Sequence, residues 1–76
     1  MKYIVINSES GLPAAILFNE VLNHKAVASG YKVLGAGFCN ATGAVWGYSE
    51  SLGVESRPKD STHVKLALSF TLNPEP

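Results

Sequence analysis

Little in this chain announces chemistry. A single cysteine excludes an internal disulfide, the usual staple of small secreted domains. Charge of one sign is missing: six basic residues balance six acidic ones, and Lys2, Lys25, Lys32, Arg57, Lys59 and Lys65 are scattered. Without a basic stripe, counterion release gives little affinity, so nucleic acid is not expected as a partner. Long hydrophobic runs are missing too. The apolar stretch after Lys2 ends at Asn7, too short for a signal peptide or a membrane span. No membrane association is therefore expected, and a cytoplasmic location follows by default. No serine sits in a nucleophile elbow. Gly35-Ala36-Gly37 has Asn40 where a dinucleotide fingerprint needs its third glycine.

What is present is globular. Hydrophobic residues make up 46% of the chain and charged ones 16%, a composition that folds. The 76 residues make one domain, 1–76, whose core is modest and whose free-energy balance lies near zero. With no disulfide and few metal ligands, the remaining support is a partner, either a second copy or another protein.

The organising stretch is Tyr31 to Leu52. Two apolar runs flank Asn40-Ala41-Thr42-Gly43, which predicts a β-hairpin. Asn40 suits the first position of a type I turn and Gly43 the left-handed position that closes it. In this register Asn40 faces Ala44, Phe38 faces Trp46 and Ala36 faces Tyr48. One face carries Leu34, Ala36, Phe38, Ala44, Trp46 and Tyr48. The other carries Val33, Gly35, Gly37, Cys39, Val45, Gly47 and Ser49. Asn40-Ala41-Thr42 also matches a glycosylation acceptor, better read as turn chemistry.

Around the hairpin, Lys2 to Asn7 predicts a strand, apolar on both faces, and Ser8 to Pro13 a turn. Ala14 to Ser29 has two readings. Leu17, Phe18, Val21 and Leu22 have helical spacing between Pro13 and Gly30, and this pattern slightly favours one long helix. The rival makes Ala14 to Phe18 a strand, followed by a short helix capped at Asn19 or Asn23 and ending at Gly30. The C-terminal third is also double. Val64, Ala67, Leu68 and Thr71 form a helical stripe, with Pro58 opening the helix and Ser56 capping it. Val64, Leu66, Leu68, Phe70 and Leu72 alternate like a strand instead. Asn73-Pro74-Glu75-Pro76 is expected to end the order.

Several of these segments are similar to small phage- and prophage-encoded proteins that carry no assigned activity. Leu17-Phe18-Asn19-Glu20, with His24 a few residues on, resembles their Leu-Phe-Pro-Glu and later His. Ala36-Gly37-Phe38 resembles their Ala-Gly-Phe. Ser51-Leu52-Gly53-Val54-Glu55-Ser56-Arg57-Pro58-Lys59-Asp60 resembles their Ser-Leu-Gly-Leu-x-Ser-Arg-Pro-Glu-Asp. The resemblance covers most of the chain. Their Pro at the position of Asn19 would break a long helix, so the resemblance implies the two-strand reading. It also implies a helix opening at Pro58, because Asp60-Ser61 with Val64 and Ala67-Leu68 follow their helical tail. The chain departs at Asn19, at Lys59 and in Ser69-Phe70-Thr71-Leu72.

Candidate chemistry is thin. His24, Cys39, Asp60 and His63 are zinc-ligand types, but no pair has the close spacing of a zinc motif. Cys39 with His24 could pair a nucleophile and a base, yet a strand flanked by Phe38 and Trp46 suggests a buried thiol. No catalytic residue, metal or cofactor is assigned on this basis, and the chain is not expected to be an enzyme. The polar patch Ser56 to Asp60 reads as a helix start or as a contact surface. Trp46, Tyr48, Arg57 and Asp60 are the candidate protein-contact residues.

The fold expected is α+β: a four-stranded antiparallel sheet with two helices in the order ββαββα, or alternatively βαβββ. Two short helices would leave part of a doubly apolar sheet bare, a patch rare in monomers. That predicts a homodimer, a host protein, or both, on a sheet face or edge. The function expected is an accessory role for a phage or prophage in the host cell cytoplasm, by protein binding and with a host defence system as target. The alternatives are a structural or assembly homo-oligomer of a phage and a metal- or thiol-dependent enzyme.

Overall fold

The computed structural model of the protein describes residues 1–72, and side chains through residue 69. Strands β1 (Lys2–Asn7) and β2 (Pro13–Phe18) precede helix α1 (His24–Val27). Strands β3 (Val33–Cys39), β4 (Val45–Trp46), β5 (Tyr48–Ser49) and β6 (Val54–Glu55) follow, and helix α2 (Asp60–Leu72) comes last. One four-stranded sheet runs β2-β1-β3-β4, and β5 and β6 form a separate two-stranded ribbon. Every pairing is antiparallel. This is the α+β class, with the helices in the two expected places. The βαβββ alternative falls because residues 60–72 are helical.

The long helix over 14–29 does not form. Ile4 pairs with Ile16 and Tyr3 with Leu17, so β2 applies apolar residues to both layers of the sheet. A helix would bury one stripe only. Asn19 ends the strand by accepting the Val21 N–H at 2.9 Å. Asn23 caps α1 through the Lys25 N–H at 2.7 Å. The later alternation also gives way to a helix. Val64 and Leu68, one turn apart, are buried while Leu66 between them is 57% exposed. The side chains of Phe70, Thr71 and Leu72 and the expected end at Asn73-Pro74-Glu75-Pro76 lie outside the described residues.

Helix α2 begins at Asp60, two residues after the expected Pro58, which lies in the turn that leads into it, and Asp60 rather than Ser56 satisfies the backbone at its start. Asp60 Oδ2 reaches back to the Arg57 N–H at 2.9 Å, the acidic half of a capping box. The hairpin turn follows the sequence. Asn40 N–H donates to Ala44 O at 3.1 Å, Gly43 has φ +89, and Phe38 pairs with Trp46. The pairing of Ala36 with Tyr48 does not occur. The chain leaves β3 at Gly47 (φ +79), and Tyr48 enters the β5–β6 ribbon.

Two core layers sit on the two sheet faces. Tyr3, Val5, Cys39, Val64 and Leu68 form the layer under α2, joined by Leu34. Ile4, Ile6, Phe18, Ala28 and Ala36 form the other, joined by Val33, Leu52 and Val54. Leu34 and Val33 have therefore exchanged faces relative to simple alternation. The register shifts between Val5 and Ile6, since Val5 pairs with Gly35 but Ile6 with Val33. That bulge adds a residue to β3 and inverts everything before it. The expected bare face is corrected as well. Tyr3, Ile4 and Val5 are buried, because the ribbon and the end of α1 roof the layer that α2 does not.

Candidate functional site

A cleft of about 670 Å³ opens where β4 leaves the sheet. Phe38 forms its floor. Gly47 makes this possible, because a Cβ there would lie 2.9 Å from Phe38 Cδ2. Trp46 and Tyr48 flank Gly47 and are 49% and 55% exposed. Lys2, Asn23, Glu50 and Ser51 complete the rim. Lys2 Nζ donates to Leu22 O at 2.9 Å, and Tyr48 Oη donates to Glu50 Oε1 at 3.3 Å. One cation and one carboxylate thus edge an aromatic basin.

His24 closes the inner end. Its Nε2 lies 2.8 Å from Gly37 O, and since a carbonyl only accepts, that nitrogen carries a proton. The ring meets Phe18 and Phe38 edge-on, with centroids at 5.3 and 5.9 Å. No signal in the sequence beyond Asn23 as a cap marked His24 as a neighbour of Trp46. Their meeting depends on how α1 folds back over β3.

Of the expected contact residues, the fold gathers Trp46 and Tyr48 at this cleft and places Arg57 and Asp60 elsewhere. Asp60 is wholly buried, which removes it from any contact surface. It accepts from Tyr3 Oη at 2.7 Å and from Arg57 Nε at 2.9 Å, and it pairs with the Arg57 guanidinium at 2.7 Å. Burial, and then the Asp60 carboxylate beside it, push the Tyr3 phenol well above its ordinary range. The Gly-Ala-Gly run serves close approach: the Asp60 carboxylate lies over Gly35, and a Cβ at Gly37 would stand 3.1 Å from Ser56 Cβ.

Cys39 and His24 are not brought together. Cys39 belongs to the layer under α2, whereas His24 packs against Phe18 and Phe38 on the opposite face of the sheet. Burial raises the Cys39 thiol above its usual value. Among the described residues, no three His, Cys, Asp or Glu side chains stand close enough to share a metal ion. His63 borders a shallow cleft of about 210 Å³ between β2 and α2. Among the described residues, no helix is long and apolar enough to cross a membrane. Compared with known protein families, curated proteins and solved structures, the chain matches none.

Proposed function

We propose that the chain is a non-enzymatic binding protein that engages a partner protein through the cleft of Phe38, Trp46 and Tyr48. The observation that carries this reading is the half-exposure of Trp46 and Tyr48 around a Phe38 floor. Large aromatics held at the mouth of a concavity are the residues that dominate interface energetics. Lys2 and Glu50 at the rim supply polar contacts that fix orientation. The phage resemblance supplies the setting: an accessory protein of a phage or prophage, working in the host cell cytoplasm, with a host defence protein as its target.

The test is affinity capture from host lysate with the native protein and with Trp46→Ala and Tyr48→Ala variants in parallel. A host protein held by the native chain and lost by both variants is the expected result. Truncating a central aromatic of this kind typically costs about 2 kcal/mol or more of binding free energy. Equal capture by all three proteins would overturn the cleft as the contact site. A second reading, an assembly homo-oligomer of the phage, is favoured by the outer edge of β2, which no strand among the described residues covers. Presence of the protein in purified particles separates it from the first.

A further inference from the structure

We infer that the outer edge of β2 is a homodimer seam, in which β2 of a second copy pairs antiparallel about a two-fold axis at Ile16.

The ladder fixes which main-chain groups are free. Cys39 N–H donates to Met1 O at 2.9 Å, and Ser8 N–H donates to Leu12 O at 3.0 Å. Along an antiparallel strand, bonding alternates from one side to the other. In β1 the odd-numbered residues therefore bond to β3, and the even-numbered ones bond to β2. With Ile4 opposite Ile16, the residues Ala14, Ile16 and Phe18 face β1. Ala15 and Leu17 turn their N–H and C=O groups outward, where no strand among the described residues pairs with them.

The two edges of the sheet are unlike. On the β4 side the strand is two residues long and ends at a left-handed glycine. Such an edge offers no template. On the β2 side, Pro13-Ala14-Ala15-Ile16-Leu17-Phe18 is a full strand without a charge. Natural edges usually carry a lysine, a bulge or an inward charge to prevent pairing. Only Pro13 acts in this way, and it stands at the first position.

The occupant that fits is a second copy. An uncharged strand meets itself without repulsion, and an isologous pair needs nothing from another chain. With the axis at Ile16, each Ala15 exchanges both of its main-chain bonds with Leu17 of the other copy. All the free groups between Pro13 and Phe18 are then used. Both core layers also continue across the seam. Ile16 is a half-buried member of one layer and Leu17 of the other. Leu66, on the helix surface beside β2, extends the apolar ground. The seam lies away from the aromatic cleft and does not rest on the role proposed for it.

The experiment uses the unaltered chain first. Light scattering from micromolar to millimolar concentration is expected to rise from 8.1 kDa to twice that mass. Over the same range, hydrogen exchange at the Ala15 and Leu17 amides is expected to slow by about tenfold or more. An Ile16→Cys variant should cross-link with itself under mild oxidation. An Ala14→Cys variant should not, because its partner across the seam is Phe18. A mass of 8.1 kDa throughout would overturn the inference. So would a dimer whose Ala15 and Leu17 amides stay unprotected, or equal cross-linking by the two cysteine variants. Protection of this edge only by a different protein would overturn the second copy as its occupant.

Discussion

Gly35 and Asp60 share one space: the volume a Cβ would fill at Gly35 is held by the Asp60 carboxylate. The glycine lets the first turn of α2 come down onto β3. The carboxylate then reaches Tyr3 in β1, 57 positions earlier in the chain, and accepts its phenol at 2.7 Å. Three elements are tied at this point, and the Arg57 guanidinium compensates the buried charge. Such a pair is expensive to break from either side.

Gly35→Ala therefore forces the helix start away from the sheet. Overpacking of this kind costs about 1–3 kcal/mol, and backbone displacement at the Asp60 bonds places this site toward the upper end. Urea unfolding of the variant against the native protein measures it. An unchanged midpoint would show that α2 does not depend on this approach.

Asp60→Ala and Tyr3→Phe should differ in cost. Removing Asp60 strands the Tyr3 hydroxyl and the Arg57 charge, a loss of about 3–5 kcal/mol. Removing the Tyr3 hydroxyl leaves Asp60 its arginine partner and costs about 1–2 kcal/mol. Combined in one chain, the two changes should cost less than their sum. A double-mutant cycle reads the difference, and strict additivity would deny that the groups interact.

Alkaline pH should unfold the protein through Tyr3. The folded phenol titrates above its ordinary value of 10.0, chiefly because it is buried and then because Asp60 faces it. A raised pKa means that the folded state holds the proton more tightly. The stabilisation is complete below the unfolded value and is lost as pH rises above it, by up to about 1.4 kcal/mol per pH unit. Denaturation midpoints measured through the alkaline range should fall more steeply for the native chain than for Tyr3→Phe. Parallel slopes would contradict the assignment.

The Cys39 thiol should be slow to react in the folded protein. It is buried against Tyr3, Val5 and Val64, and burial raises its pKa, so little thiolate is available. A disulfide reagent should label it at a rate set by unfolding, and at once in denaturant. Rapid labelling of the folded chain would mean that the layer under α2 opens readily.

Much of the fold was legible locally. The Asn40 turn with Gly43 and the strand over 2–7 rest on short patterns of neighbours, whereas the segment after Pro58 fits both a helical stripe and a strand alternation, and only its packing against the sheet decides between them. Less of the candidate site was legible: Trp46 and Tyr48 read as members of one apolar hairpin face, and their half-exposure beside the cleft follows from the departure of the chain at Gly47. Asp60 was misread because a carboxylate beside Arg57 and Lys59 looks solvated until a partner 57 positions away covers it.

By itself the sequence determined the first strand and the Asn40–Gly43 hairpin turn, because turn residues and short apolar runs are properties of neighbours. Tertiary structure decided the rest. A bulge opposite Val5 exchanged Val33 and Leu34 between the layers, and β2 chose strand over helix because β1 offered apolar partners on both faces. Those choices depend on register between distant segments, where a one-residue shift inverts every side chain, and no local pattern carries that information.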